Sequence, residues 1–302
     1  MRAEYENGET CFFLIPGRLL KHPYDLSRKS LVLVFIHINK TGGSTVRYIL
    51  RSSFGLRHCE AEPWHARWTG SPFSTQDLQR LRKLYPRLES IGGHRVTGYV
   101  DLQENGTEFK YFTFLRDPFK TCASRFQYNV QYRGKKHLIF EEWIQKDWPR
   151  NHQTKMIAGV ADVNEAIHII QEKNIFVGLT ERFDESMLLL KTRIANNLNI
   201  SYRRVNVANS NTLAKDLLSN DRTRQMLIEA NQADLELYDH VKQEIYPTFQ
   251  REYGPSLEAD VADYQETRDN NFNNWNLTLS RLKQYLLYKP LIYLYRRGVT
   301  VV

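Results

Sequence analysis

The segment VFIHINKTGGSTVRYIL, residues 34–50, constrains the fold of this chain more strongly than any other stretch. The short apolar run over 31–36 predicts a buried strand. The helical spacing of apolar residues over 46–54 predicts a helix directly after the glycine-containing loop. A strand that turns through glycines into a helix directs backbone N–H groups and the positive end of the helix dipole toward an anion. The segment therefore predicts a phosphate or sulfate site within an α/β fold.

The loop itself supplies the groups that such an anion needs: Lys40, Thr41, Gly42, Gly43, Ser44 and Thr45. The glycines let the backbone approach closely, the hydroxyl groups can donate from the first helical turn, and the lysine adds a mobile positive charge. In a Walker loop the lysine follows the last glycine, whereas Lys40 precedes both glycines. This order argues against an ATPase or a kinase. A plain strand-to-helix turn without a ligand remains the alternative.

The rest of the chain alternates strand-like and helical patterns. Strands are predicted over 31–37, 109–115 and 174–179, and helices over 181–199 and 221–243. Strands separated by helices indicate a mostly parallel sheet that is covered on both faces. We therefore predict a three-layer, P-loop-like α/β fold with a mostly parallel central sheet flanked by helices.

The composition narrows the class of partner. The 302 residues carry a formal net charge of +8, which suits an anionic partner. Zinc-finger spacing, a basic-zipper pattern and an aromatic RNP pattern are all missing from the sequence, so we expect no nucleic-acid partner. The three cysteines, Cys11, Cys59 and Cys122, are widely spaced, which argues against a disulfide framework and a zinc site. The charged residues within 1–30 do not form a signal peptide, so we expect a cytoplasmic location.

Two further stretches carry candidate site residues. FTFLRDPFKTCASRFQY, residues 112–128, predicts a strand that ends at Arg116 and a helix that presents Ser124 two turns later. An arginine and a serine in that arrangement can converge on one phosphate. In SIGGHRVTGYV, residues 90–100, His94 follows a glycine turn. Histidine is a natural base near neutral pH, although a single histidine is more often structural.

The order of these stretches resembles a known family. HINKTGGST, residues 37–45, is similar to the HIPKTGGT signature of PAPS-dependent sulfotransferases, in the branch of carbohydrate 2-O- and 6-O-sulfotransferases and their bacterial relatives. The stretch from Arg116 resembles that family's RDPxxRxxSxY motif. NHQTKMIAG, VGLTERFDESMLLL and YRRVNVANS, which begin at residues 151, 177 and 202, follow in the same order. The resemblance extends from residue 31 to about residue 250.

The resemblance implies in-line transfer of a sulfuryl group from PAPS, the donor, to a hydroxyl of an acceptor, without a metal. It assigns the loop, Lys40 to Thr45, to the donor's 5′-phosphosulfate, and Arg116 and Ser124 to its 3′-phosphate. Arg203 and Arg204 would lie near the nucleotide. His94 would be the catalytic base and Lys40 a second catalytic group. The acceptor would be a glycan.

Two residues depart from the family pattern. Asn39 stands where the family has proline, and Thr121 stands where it has a second arginine. We expect Arg125, beside Ser124, to replace that arginine in part. Two other classes of function stay open: an inactive nucleotide- or glycan-binding module of the same fold, and a divergent P-loop phosphotransferase.

The ends of the chain lie outside the resemblance. We expect an N-terminal extension over 1–30, a sulfotransferase domain over 31–254 and a C-terminal extension over 255–302 that lies outside the sheet. Apolar, tyrosine-rich and basic residues over 281–297 suggest peripheral contact with the inner membrane surface, although Pro290 should break or kink a helix there. The oligomeric state is left open. The aromatic residues Trp64, His65 and Trp68 suit either a sugar platform or core packing, and His65 is the alternative base.

Overall fold

The computed structural model of this protein describes residues 30–65, 70–203 and 212–299, together with the backbone of two short strands. These strands are β1 (Phe12–Ile15) and β2 (Arg18–Lys21), which pair in an antiparallel hairpin. Arg204 and Trp68, two residues of interest in the sequence, lie outside the described residues.

A five-stranded parallel sheet forms the centre of the molecule, in the order β4-β5-β3-β6-β7. Its strands are β3 (Ser30–Ile36), β4 (His58–Glu60), β5 (Ser90–Gly93), β6 (Thr107–Leu115) and β7 (Phe176–Leu179). The three strands predicted from the apolar runs are confirmed as β3, β6 and β7. The parallel sheet is confirmed as well. The strand end expected directly before His94 is β5, whereas β4 escaped prediction because its three residues are too few to show an alternation of apolar and polar side chains.

The central strand explains why the sheet needs cover on both faces. Residues 32–36 of β3 are buried one after another, which is the pattern of a strand with protein above and below it. Phe35 of β3 stacks on Phe112 of β6, with ring centroids 5.0 Å apart. Because parallel neighbours need crossover connections, the chain returns through helices that supply this cover.

The helices occupy most of the remaining described chain. They are α1 (Gly43–Phe54), α2 (Thr75–Leu84), α3 (Pro118–Gln131), α4 (Phe140–Ile144), α5 (His152–Ala158), α6 (Val163–Glu172), α7 (Phe183–Ile194), α8 (Thr212–Ser219), α9 (Asp221–Ala230), α10 (Gln232–His240), α11 (Tyr246–Tyr253), α12 (Leu257–Thr267), α13 (Asn274–Lys283) and α14 (Lys289–Tyr295). A second small core lies among α3, α4, α8 and α9, around Phe126 and Trp143. None of the described helices is both long and apolar enough to cross a membrane.

Two predicted helices have different limits in the structure. The helix predicted over 181–199 is α7, which starts after a 3-10 turn and ends at Ile194. The helix predicted over 221–243 is divided at Asn231 into α9 and α10. The side-chain amide of Asn231 donates to the carbonyl oxygen of Leu227 at 2.9 Å. Asparagine side chains that bond the backbone in this way compete with the helical pattern, which explains the division.

The C-terminal helices pack against the edge of the sheet and add no strand among the described residues. Residues 274–295 form one helical run, in which the π-helical turn Gln284–Tyr288 directly precedes α14. Pro290 does not break this run, contrary to expectation. The π-helical turn changes the backbone hydrogen bonds just before the proline, so the bond that proline usually removes is not required.

Two side chains of the helical run 274–295 complete the hydrogen bonds of strand β4. Gln284 accepts a hydrogen bond from the N–H of Glu60 at 3.1 Å and donates to its carbonyl oxygen at 2.9 Å. The hydroxyl of Tyr288 does the same for the backbone of Glu62, at 3.0 and 3.1 Å. An edge strand with open N–H and C=O groups is a site for unwanted pairing. The C-terminal run therefore protects the β4 edge of the sheet.

Candidate active site

The candidate residues follow the carboxyl ends of three neighbouring strands. Lys40 comes after β3, His94 after β5 and Arg116 after β6. The carboxyl ends of parallel strands meet at one edge of a sheet, and β3 lies where the strand order reverses. Open α/β sheets bind their ligands at this position, so the topology brings the three residues to the place where a site is expected.

The loop after β3 has a defined backbone shape. Lys40 and Gly42 both have positive φ angles, 69° and 82°. Between them, Thr41 is buried and its hydroxyl donates to the carbonyl oxygen of Ile38 at 3.1 Å. The hydroxyl of Thr180, after β7, donates to the carbonyl oxygen of Thr41 at 2.9 Å. A left-handed lysine is a strained conformation that surrounding contacts must hold, and such strain is typical of functional loops.

The first turn of α1 follows this loop directly. The N–H of Thr45 bonds the carbonyl oxygen of Gly42 at 2.9 Å. Gly43 and Ser44 contribute two of the N–H groups that the start of a helix leaves without an intrahelical acceptor. Gly43 also has a steric role, because a Cβ atom there would collide with the imidazole of His37.

Two cations meet at this loop. The Arg116 guanidinium donates from Nη1 to the carbonyl oxygen of Lys40 at 3.1 Å. The Lys40 ammonium lies 4.8 Å from the ring centroid of Tyr128. Burial and the nearby Arg116 charge lower the pKa of Lys40. No carboxylate within the described ranges pairs with either cation at 4.0 Å or less. The two positive charges therefore lack a protein counter-ion in that part of the chain, which is the electrostatic condition for binding an anion.

His94 lies beside a second histidine. The rings of His94 and His37 are 4.0 Å apart between centroids, and His94 Nδ1 lies 3.0 Å from the carbonyl oxygen of His37. Because a carbonyl oxygen only accepts, Nδ1 carries the hydrogen and Nε2 keeps its lone pair. His94 reaches solvent, yet the protein around it and the charges of nearby arginines lower its pKa. The imidazole of His94 is therefore neutral near pH 7.

The backbone of Arg116 is fixed by a buried polar network. Gln153 accepts from the N–H of Arg116 at 3.0 Å and donates to its carbonyl oxygen at 2.8 Å. The backbone N–H groups of Gln153 and Thr154 donate to the buried carboxylate of Asp234 at 3.1 and 2.7 Å. The sequence analysis missed Asp234. In the sequence it is only one acidic residue within a predicted helix, and nothing there marks it as buried. Asp234 thus positions the strand end that carries Arg116.

The two departures from the family pattern have structural consequences. The amide nitrogen of Asn39 lies 3.4 Å from Nε2 of His152, which links the loop to α5. Thr121 is buried on α3. Arg125 is also buried and donates to the carbonyl oxygens of Pro149 and Trp148 at 3.1 and 3.4 Å. The expectation that Arg125 replaces the second arginine was wrong, because its guanidinium is held by these carbonyl groups.

Ser124 is half-buried on α3, two turns after Asp117, which caps that helix by accepting from the N–H of Lys120 at 2.9 Å. The cap and Pro118 at the first helical position determine where α3 begins, and thereby the direction in which Ser124 projects. Arg203 is exposed directly after Tyr202.

A first cleft of about 260 Å³ opens beside the two histidines. Its charged and titratable walls are His37, Arg47, His58, Glu60, Glu62, His94, Arg95 and Arg296. Arg47 pairs with Glu60 at 2.9 Å, while Arg95 donates to the carbonyl oxygen of Gly70 at 2.8 Å. The cleft lies on the β4–β5 side of the loop and is lined by charged side chains of both signs together with apolar groups such as Phe35 and Leu50.

A second cleft of about 480 Å³ lies on the other side of the loop. It is lined by Gly42, Thr45, Thr180, Glu181, Arg182, Phe183, Asp184, Glu185, Tyr202, Val261 and Gln265. The rings of Phe183 and Tyr202 meet edge to face, 5.2 Å between centroids. The loop and the start of α1 therefore separate a cleft that contains the histidines from a cleft with aromatic walls.

Of the aromatic residues before His94, Trp64 belongs to the core. Trp64 is fully buried and packs edge to face against Tyr288 and Tyr295. Nε2 of His65 lies 3.2 Å from the hydroxyl of Tyr295. Core packing, one of the two interpretations of these residues, is thus correct for Trp64, and His65 lies outside the walls of the first cleft.

Comparison with known proteins adds one finding. A family model described as the sulfotransferase family matches residues 23–241. No curated protein matches the chain. The matched residues include all five strands of the sheet and end before α11. In the described part of the chain, no three histidine, cysteine or acidic side chains are grouped as a metal site.

Proposed function

This chain belongs to the sulfotransferase family, since the match covers well over half of its length, and we propose that it sulfates a carbohydrate hydroxyl with His94 as the base. Membership of the family makes it an enzyme that transfers a sulfuryl group from PAPS. The observation that supports the proposed site is the meeting of Lys40 and Arg116 without a carboxylate partner among the described residues, on a loop whose first residue, His37, binds Nδ1 of His94 and leaves its Nε2 free.

The loop and the two cations suit the donor's anionic groups. We assign the 5′-phosphosulfate to Lys40 and to the amides and hydroxyls of residues 41–45. Arg116 and Ser124 would bind the 3′-phosphate, since an arginine that lacks a carboxylate partner among the described residues can form charge-assisted bonds. The aromatic walls Phe183 and Tyr202 suit the adenine base. Arg203, and Arg204 outside the described residues, are proposed for the rim of that cleft.

The chemistry follows from these positions. His94 Nε2 takes the proton from the acceptor hydroxyl while the acceptor oxygen forms a new bond to sulfur. The bond between sulfur and the bridging phosphate oxygen breaks, and its electron pair leaves with the phosphate of PAP. Lys40 and the loop amides stabilise the negative charge that grows on that oxygen and on the sulfuryl oxygens. Arg116 keeps the donor in register from a distance.

The acceptor approaches from the side of the first cleft. Tyr128 and Tyr132 stack with centroids 5.4 Å apart and are both exposed, and the Lys40 ammonium lies over the Tyr128 ring. Such exposed aromatic faces can pack against the C–H face of a sugar ring. Arg133 lies over the Tyr128 ring, at 5.8 Å, and Arg95 lines the cleft beside His94. These groups favour a glycan, in particular one that already carries negative charge.

The remaining assignments concern organisation and place. We keep 1–30 as an N-terminal extension, 31–254 as the sulfotransferase domain and 255–302 as a C-terminal extension that packs on it. We propose a cytoplasmic enzyme that works at an inner membrane surface, without a nucleic-acid partner or a bound metal.

One experiment tests the proposed function against the two alternatives. PAP and ATP are titrated into the protein by calorimetry, with and without Mg²⁺, and sulfate transfer from PAPS to acidic oligosaccharides is then measured. PAP binding without metal, together with transfer, supports the proposal. PAP binding without transfer to any hydroxyl acceptor would indicate an inactive module. Binding of ATP that requires Mg²⁺ would indicate a phosphotransferase.

A further inference from the structure

The helical run 274–295 has two different faces. Its inner face contains the buried side chains of Leu277, Gln284, Tyr288 and Ile292. Its outer face carries seven exposed apolar or aromatic side chains: Trp275, Leu282, Tyr285, Leu286, Leu287, Tyr293 and Leu294. Four of these, at positions 275, 282, 286 and 293, are separated by seven, four and seven residues, which places them on one stripe. We call these seven residues the outer face.

The outer face is not required to hold the helical run in place. The inner face already bonds the backbone of β4 through Gln284, and the backbone of Glu62, just after β4, through Tyr288. Leu286 is 73% exposed and Trp275 is 70% exposed, so the most exposed side chains of the outer face contribute little to the stability of the fold. A contiguous apolar surface of this kind usually marks a contact with another molecule.

The charge of the same segment indicates which kind of molecule. Residues 270–302 contain no aspartate or glutamate. They contain five basic residues: Arg281, Lys283, Lys289, Arg296 and Arg297. Two of these lie over outer-face tyrosines: Lys289 is 4.8 Å from the ring centroid of Tyr285, and Arg297 is 4.4 Å from that of Tyr293. Aromatic and basic side chains side by side are typical of the boundary between lipid and water.

We propose that the outer face docks on the surface of an anionic lipid membrane. The helical run would lie in the plane of the interface, with its apolar side chains among the lipid headgroups and the basic groups that lie over its outer tyrosines, Lys289 and Arg297, near lipid phosphates. A second copy of the chain fits less well. A two-fold contact through this face would bring Lys289 and Arg297 of both copies together, and neither 270–302 segment has an acidic residue to place between them; Glu62, outside the segment, already pairs with Lys289 and Arg296 at 3.8 and 3.6 Å.

The docking surface and the acceptor cleft share one structural element. Arg296, at the end of α14, lines the first cleft and donates to the carbonyl oxygen of Pro63 at 2.6 Å. The membrane would therefore lie against the same helical run that forms a wall of the cleft. This consequence rests on the proposed function and points to an acceptor held at the membrane, whereas docking itself does not depend on it.

The test is co-sedimentation of the full-length protein with vesicles at low salt. One set of vesicles contains phosphatidylglycerol and phosphatidylcholine, and the other contains phosphatidylcholine alone. We expect binding to the anionic vesicles, weakened by added salt, and little binding to the neutral ones. Leu286→Asp and Trp275→Ser should each weaken binding by about tenfold or more, because each removes a large apolar side chain from the lipid.

The matched control is Val160→Asp, which places the same charge at another exposed apolar position, 55% exposed, outside the helical run. It should bind vesicles like the wild type. All variants are first checked for an unchanged thermal midpoint. Truncation of the segment is unsuitable, because it would also remove the hydrogen bonds of Gln284 and Tyr288 to the backbone of Glu60 and Glu62.

Three results would overturn the proposal. The first is a wild-type protein that stays in the supernatant with anionic vesicles. The second is equal binding of Leu286→Asp and the wild type. The third is a wild-type protein that is a dimer in sedimentation velocity and does not bind vesicles, while Leu286→Asp is a monomer. This result would assign the outer face to a second copy of the chain. Sulfate transfer to a soluble acceptor should be the same in Leu286→Asp and the wild type. Failure of the proposed function would appear separately, because the wild type itself would then transfer no sulfate.

Discussion

The Nδ1 atom of His94 lies 3.0 Å from the carbonyl oxygen of His37. This contact determines the tautomer of the His94 ring, because a carbonyl oxygen needs a hydrogen from its partner. The free Nε2 atom can then take a proton. The backbone of the residue that opens the anion loop thus orients the proposed base.

Replacing His94 by Asn tests that base. The asparagine amide is polar but not basic, so we expect PAP affinity to stay near that of the wild type and turnover to fall about 10²–10⁴-fold. The wild-type rate should also fall with pH on the acid side, as the base becomes protonated. Since the pKa of His94 is lowered, this fall should be centred below about pH 6.5. A variant that loses PAP binding instead would assign His94 to the donor site.

Lys40→Ala tests the loop. Alanine at a φ of 69° adds no steric strain beyond that of lysine, so the protein should remain folded with a similar thermal midpoint. Turnover should fall by about 10² or more, because Lys40 stabilises charge that develops in the transition state. Lys83→Ala, which removes an exposed lysine on α2, is the control and should keep wild-type turnover. Normal turnover in Lys40→Ala would contradict the proposed role.

Arg116→Ala tests the second anion site. Its affinity for PAP should fall by about 1.5–3 kcal/mol, the usual value of a hydrogen bond to a charged group. Affinity for adenosine 5′-phosphosulfate, which lacks the 3′-phosphate, should fall much less. Calorimetric titration of both ligands measures the difference. An equal loss of affinity for both ligands would mean that Arg116 acts by holding the carbonyl oxygen of Lys40, to which it donates a hydrogen bond in the structure.

Gln284→Ala tests the link between the C-terminal helical run and the sheet. The variant leaves the N–H and the carbonyl oxygen of Glu60 without their side-chain partner. Because Gln284 is buried, we expect the free energy of unfolding to fall by about 2–4 kcal/mol. Urea denaturation measures this, with the exposed Gln145→Ala as the control, which should change stability by less than about 0.5 kcal/mol. Equal effects of the two substitutions would show that the contact with β4 is unimportant.

His58→Asn tests the pH dependence of stability. Burial, followed by the charges of Arg51 and Arg47, lowers the pKa of His58 to about 3. An unfolded histidine has a pKa of about 6.5, so between these values only the unfolded state binds the proton. The free energy of unfolding therefore falls as the pH falls below 6.5, by about 2 kcal/mol between pH 7 and pH 5.

The variant lacks this group, so its loss of stability over the same range should be smaller by that amount. The other histidines contribute equally to both proteins, and the comparison isolates His58. Urea denaturation at pH 7, 6 and 5 provides the measurement. Parallel pH curves for the two proteins would show that His58 accepts a proton in the folded state at an ordinary pH.

Local sequence was sufficient for the strand–loop–helix unit around Lys40 and for the strands β3, β6 and β7. These elements depend on apolar runs, glycines and helix-start residues that are neighbours along the chain, so a short stretch of sequence is enough to predict them. The alternation of strand-like and helical patterns was enough to predict the parallel sheet, and the order of the motifs was enough to predict the sulfotransferase family; both predictions are confirmed.

The tertiary structure decided what depends on distant contacts. Gln284 and Glu60 are 224 residues apart, and the His94–His37 contact spans 57 residues. No local pattern predicts such pairs, because loop closure and packing of the whole chain select them. The same reason explains the error over Arg125, whose sequence position beside Ser124 says nothing about the carbonyl groups that bind it. The sequence by itself determined which chemical groups the loop offers. Packing of the whole chain determined the tautomer of His94, the side chains that line the two clefts, and the edge of the sheet that the C-terminal helical run covers.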